Sequence, residues 1–198
     1  MKHYIKRAMF PLVYIVVCLI LDLSVLALDA KLIWLRYIFL FAVLCLFALV
    51  VYPIARKDGE NDYNKLINND RIRQHIVETG DDIYFDRREE FKPYKGFLVG
   101  VIACAPLILL LILHTITIIV TDGENIVFGQ IGSTMYSIVS MFFSLIYKTP
   151  TAYTSYYSLL AVPIISCVVG IPYLIGARRV KLGLLEIQRK SDIINGKR

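Results

Sequence analysis

The sequence predicts an all-α fold, a polytopic integral membrane protein with four transmembrane helices and one amphipathic or re-entrant helix on the outer side. Three observations predict it. Hydrophobic residues make up 57% of the 198 and mean hydropathy is +0.61, above the roughly 45–50% apolar content of soluble domains. The apolar residues gather in long blocks rather than alternating. The basic residues gather between the blocks, in three groups.

The first block, in "MKHYIKRAMFPLVYIVVCLILDLSVLALDA", imitates a signal peptide with its basic start and apolar middle. Its apolar stretch is too long for such a segment and no A-x-A cleavage site follows. It reads as a retained span, 8–28. About 20 helical residues cross a ~30 Å hydrocarbon core, and the blocks 32–54, 97–120 and 157–177 also reach that length. Block 127–147 has no formal charge but carries Gln130, Ser133, Ser137, Ser140 and Ser144 at helical spacing, opposite Phe128, Ile131, Met135, Ile138, Phe142 and Leu145. That pattern is amphipathic.

Charge sets the threading. Lys2, Lys6 and Arg7 precede the first span, nine basic residues from Arg56 to Lys95 occupy the loop 55–96, and seven from Arg178 onward follow the last span. Only Lys31, Arg36 and Lys148 lie elsewhere. Cytoplasmic flanks collect Lys and Arg, so four spans put all three groups and both termini on the cytoplasmic side. A fifth span through 127–147 is the rival; it would force one group across. Trp34, Tyr37, Tyr153, Tyr156 and Tyr157 then fall at the outer interface and Tyr52 and Tyr94 at the inner one, where such side chains favour headgroups.

The loop 55–96 also holds ten acidic residues. Within it, "NDYNKLINNDRIRQHIVETG" reads as a helix that Gly80 terminates. About forty residues cannot make a core of their own. The loop is expected to pack on the membrane face, on the chain's own termini, or on a partner.

Three ionisable groups interrupt the spans. Asp22 lies before the tight turn at 29–31 and Arg36 after it, while His114 lies six residues before Val120. Each is about 9–10 Å below the outer boundary at 1.5 Å per residue. Intramembrane ionisable residues face the bundle interior and pair, so Asp22, Arg36 and His114 are expected to form one polar cluster. A clamp fixing helix register is one reading; a proton or ion relay is the other, since histidine titrates near neutrality.

Small residues suggest helix contacts. Gly96 and Gly100, with Cys104 a turn further on, let another helix approach the third span, and Gly129, Ser133 and Ser137 repeat that spacing. Packing within the chain is expected rather than dimerisation. Pro106, Pro163, Gly170 and Pro172 invite kinks.

Cofactor and metal signals are absent. Cys18, Cys45, Cys104 and Cys167 fall one per span without ligand spacing, so neither zinc nor disulfides are indicated. In "ETGDDIYFDRREEF" Asp81, Asp82, Asp86, Glu89 and Glu90 lack EF-hand spacing, and Arg87 and Arg88 neutralise them. His3 and His75 look isolated and solvent-facing. No HExxH, GxSxG, P-loop or dinucleotide fingerprint occurs, so no catalytic residue is assigned. The net charge of +6 reflects the cytoplasmic bias and gives no nucleic-acid footprint.

The function expected first is that of a non-enzymatic membrane subunit or scaffold within a larger assembly, with a protein partner or a second copy. Arg178, Arg179 and Lys181 would meet anionic lipid headgroups at the cytoplasmic face. The alternatives are a small proton- or ion-linked transporter or channel using Asp22, Arg36 and His114, and, ranked last, an enzyme on lipid-linked substrate using Asp81, Asp82 and Asp86.

Overall fold

The structure, a computed structural model, describes residues 2–26, 33–80, 87–121, 127–135 and 154–194. Every regular element among them is helical. The elements are α1 (Lys2–Leu26), α2 (Ile33–Thr79), a 3-10 turn (Arg87–Glu89), α3 (Lys95–Ala103), α4 (Ala105–Val120), α5 (Val127–Met135), a 3-10 helix (Thr154–Leu160) and α6 (Ala161–Ile194).

Two helices are longer than the apolar blocks that seed them. α2 has 47 residues, about 70 Å at 1.5 Å per residue. It runs through Pro53 and Gly59 from apolar sequence into polar sequence without a break. The expected loop starting at 55 is therefore corrected: residues 55–79 continue the preceding helix. Gly80 does end it, with φ at 75° and its N–H on the Ile76 carbonyl at 2.8 Å. That left-handed residue closes the last turn at no Cβ penalty. Likewise α6 passes Pro172 and continues beyond residue 177 to Ile194.

Cys104 breaks the third block into α3 and α4, which are bent by 46°. Pro106 lies in the first turn of α4, where its missing N–H costs no helical bond and its fixed φ suits a helix start. Downstream, α5 supplies the first half of the expected amphipathic helix; 136–147 lie outside the described residues.

One core joins the long helices. Ala8 and Ile15 of α1, Val43, Phe47, Val51 and Ala55 of α2, Val99 and Ala103 of α3, Leu107 and Leu111 of α4, and Ala161, Ile165 and Val169 of α6 form a single buried cluster. Beyond it, toward one end, Arg7, Asp62, Lys95 and Tyr173 meet. Helices α1 and α3 therefore run away from that end, and α2 and α6 run toward it. The result is an up-down-up-down bundle in which α2 and α6 descend side by side.

Glycine makes that last pairing close. A Cβ on Gly59 would lie 2.0 Å from the Tyr173 carbonyl oxygen, and one on Gly176 would lie 2.0 Å from the Arg56 carbonyl oxygen. This reciprocal contact is how two parallel helices cross backbone to backbone.

Among the described residues, one continuous helical stretch, Ser155–Ile194, is long and apolar enough to cross a membrane, with mean hydropathy 2.2 over its best window. The bent pair α3–α4 adds a second if it counts as one span. The helical bundle matches the expectation; of the four expected spans, the described residues include one helix, or two with the bent pair, that meets this criterion.

Candidate functional site

The polar end of the bundle is built around Asp62, which α2 carries one turn past the Gly59 crossing. Its side chain is 0% exposed. A carboxylate so placed needs a full set of donors. Arg7 of α1 supplies a two-pronged contact, with Nη1 donating to Oδ2 and Nη2 to Oδ1, both at 2.7 Å. The Tyr173 hydroxyl of α6 donates to Oδ2 at 2.9 Å. The ammonium of Lys95, only 1% exposed at the start of α3, lies 3.5 Å from the same oxygen. Four helices thus converge on one carboxylate.

Asp58, one helical turn before Asp62, approaches the Arg7 Nε at 3.6 Å. Two carboxylates face two cations, so the cluster carries no net charge. Aromatic rings wall it: Phe91 stacks on Tyr173 at 5.5 Å and 16°, Tyr63 meets Phe91 edge-on at 5.5 Å, and Lys95 Nζ lies 5.9 Å from the centre of the Tyr4 ring.

A strap seals the side. The Phe91 N–H donates to the Asp62 carbonyl at 3.1 Å. One residue earlier Glu90, buried, accepts from Asn69 Nδ2 at 3.0 Å and from Arg73. Glu89 accepts from Lys65 and stands 3.8 Å from His3 Nδ1. His3, expected to face solvent, is instead half-buried, because α1 begins inside this network. His75 is exposed.

The charges shift as this geometry requires. Burial pushes the Asp62 carboxyl up, but the Arg7 hydrogen bonds and charge, then Lys95 and Tyr173, outweigh it and hold the group below the usual carboxylate range. Burial likewise opposes Glu90, and its bonds from Asn69 and Arg73 win, again downward. Asp58 goes up, because burial outweighs its contact with Arg7. Lys95 goes down through burial, which the Asp62 charge only partly offsets. Hydrogen bonding to the charged form separates Asp62 from Asp58.

Chemically, every acceptor of Asp62 is engaged with donors from other helices. The arrangement can clamp four helices at one register. Among the described residues no group of three His, Cys, Asp or Glu is placed to hold a metal. Cys45 and Cys167 are exposed and Cys104 is buried, all as free thiols.

Of the residues singled out from the sequence, Gly96 adjoins this cluster through Tyr173 and the others described lie elsewhere. Asp22 lies in α1 and Arg36 in α2, with side chains outside the described residues. His114 lies in α4 and is 0% exposed. Its ring sits 5.6 Å from Tyr156, whose hydroxyl shares a 2.8 Å hydrogen bond with the Thr115 hydroxyl. A Cβ on Gly129 of α5 would come within 2.6 Å of the imidazole and 2.5 Å of Ser155 Oγ, so α5 rests directly on His114. Gly96 and Gly100 face α6: a Cβ there would come within 2.7 Å of Tyr173 Cβ and 2.5 Å of Ser166 Cα respectively. The Ser133 side chain, Ser137, Asp81, Asp82 and Asp86 lie outside the described residues.

Arg7, Asp58, Asp62, Lys95 and Tyr173 were not read as a site in the sequence. The charges of Arg7, Asp58, Asp62 and Lys95 look like solvated cytoplasmic flanks, and Tyr173 lies in an apolar block. The signal was local: Asp58 and Asp62 are four apart with Gly59 between them, which puts two acids and a gap for a neighbouring backbone on one helical face.

Compared with known proteins, the chain matches no family model, no curated protein and no solved structure.

Proposed function

We propose that the chain crosses the membrane four times, with both termini and the ionic cluster on the cytoplasmic side, and works as a non-enzymatic subunit or scaffold of a larger membrane assembly. The observation that carries this is the placement of the Asp62 cluster at one end of a bundle whose outside is apolar. On the core side of the cluster, Val13, Leu49, Leu109, Ile112, Ile164 and Ile171 are exposed on the long helices. Water tolerates few such contiguous patches; lipid accepts them. The alternating helix directions agree with four passes, and the basic groups then lie on the side where Lys and Arg collect.

Scaffolding is supported by what extends past the cluster. α2 beyond Asp62 and α6 beyond Ala177 each continue for 17 residues, about 25 Å. They are arms on the side where partners would meet them. Val77 near the end of α2 is 85% exposed and Ile194 at the end of α6 is 83% exposed.

The test is affinity purification of the full chain from native membranes in mild detergent. The expected result is a stable partner or a second copy that is lost when Ile187 and Ile194 are changed to Ser. A solitary monomer would contradict the proposal.

A second reading, transport through Asp22, Arg36 and His114, is favoured by one observation: the His114 imidazole is buried in the apolar helix α4. It predicts pH-dependent flux in liposomes that His114→Ala abolishes. Absence of flux for protons and small ions would retire it.

A further inference from the structure

Around the buried cluster lies a second, outward-facing set of charges. Lys6 adjoins Arg7, Lys57 adjoins Asp58, and Arg178 and Lys181 follow within two turns of Gly176. Lys92 accepts the Lys95 N–H on its carbonyl at 3.0 Å and neighbours Phe91, which bonds the Asp62 backbone. All five side chains are exposed. They come from four separate segments, yet the fold gathers them at one level.

The acids at this level are already used. Asp58 and Asp62 face Arg7 and Lys95, and Glu60 meets Arg56 at 3.1 Å and Arg179 at 3.8 Å. Among the described residues Lys6, Lys57, Lys92, Arg178 and Lys181 make no ion pair. Paired charges a few ångströms apart present only dipoles outward, so the five cations dominate the rim's field.

Apolar surface begins one turn toward the bundle core. Exposed Met9 follows Lys6, Ile54 precedes Lys57, and Ile175 precedes Arg178, with exposed Tyr52 and Tyr94 at the boundary. A cation over an apolar face fits a molecule with an anionic head and an acyl tail. Free phosphate would use only the first half.

We infer that Lys6, Lys57, Lys92, Arg178 and Lys181 form a collar that binds anionic phospholipid headgroups around the bundle. This rests on the membrane reading above and specifies a lipid partner for it. A Lys or Arg beside an anionic surface raises binding about fivefold, so several acting together select anionic over zwitterionic lipid strongly.

The test uses the full chain extracted from membranes, incubated with equal amounts of phosphatidylglycerol and phosphatidylcholine, and native mass spectrometry of the retained lipids. The expected result is at least about fivefold preference for phosphatidylglycerol. Changing all five cations to Gln brings the ratio near one. The pairs Lys57→Gln/Lys92→Gln and Arg178→Gln/Lys181→Gln each lower it partway, which keeps the test informative if the fivefold variant is not recovered. Arg189→Gln/Lys190→Gln, about 16 Å further along α6, leaves it unchanged. Millimolar inorganic phosphate also leaves it unchanged. A wild-type ratio near one, an equal fall in the Arg189/Lys190 variant, or displacement by phosphate would overturn the collar alone. Recovery of the chain from the soluble fraction would overturn the membrane reading and the collar with it.

Discussion

At the scale of single residues, Asp62 is the most consequential group. Removing one partner of a buried ion pair leaves an uncompensated charge and costs about 3–5 kcal/mol. Arg7→Met should therefore lower thermal stability in detergent by that order. Arg7→Lys should recover only part, since an ammonium cannot span both carboxylate oxygens. Arg7→Met combined with Asp62→Leu should cost clearly less than the two changes added; simple additivity would mean the pair is not coupled. Tyr173→Phe removes one bond to a charged acceptor and should cost roughly 1.5–3 kcal/mol. The pH dependence has a definite sign. Asp62 is held below its ordinary value of 3.8, so it binds protons less readily folded than unfolded. Its contribution is complete above that value and is lost as pH falls through the folded one. Acid titration of stability should show a loss below about pH 4 that flattens in Asp62→Asn. Little of this was legible beforehand. Arg7, Asp58 and Lys95 look like solvated flanks because charge counting along a chain cannot tell which of them the fold folds inward.

Among the elements, the α2–α6 crossing sets how closely the bundle closes. Alanine at Gly59 or Gly176 would drive a methyl to 2.0 Å from a main-chain oxygen, and backbone cannot step aside as a side chain tip can. Either change should separate the helices and cost about 1–3 kcal/mol or more. Gly183 sits in the same helix as Gly176 with nothing within 4 Å of its Cβ position. Gly183→Ala should be neutral or stabilising by up to about 1 kcal/mol through helix propensity. Thermal unfolding of the three variants side by side checks the contrast; equal effects would remove the crossing as its cause. The sequence already indicated a helix end where local chemistry dictates it, at Gly80, and a kink next to Pro106, but Pro163, Gly170 and Pro172, where it also suggested kinks, lie within one continuous α6. It misjudged the length of α2, because hydropathy stops at residue 54 while the helical backbone has no reason to stop. Its polar continuation survives by packing Asp62 and Asn69 inward against α1, α3 and the strap.

For the whole molecule, the all-helical class followed from apolar blocks of span length. Tertiary convergence was harder to see. The sequence draws attention to rare charges inside apolar blocks, Asp22, Arg36 and His114, whereas the described ionic network lies at the bundle's polar end. The two belong to opposite boundaries of the same proposed membrane domain, with His114 under α5 at the other extremity. Everything functional in the account depends on that domain lying across the bilayer with its ionic end inside the cell. Labelling in sealed vesicles with a membrane-impermeant amine reagent tests this most directly. Lys148, between the last two spans, and Lys190, on the α6 arm, should react from opposite sides. Reaction of both from the same side would contradict the four-pass threading and the cytoplasmic placement of the cluster together.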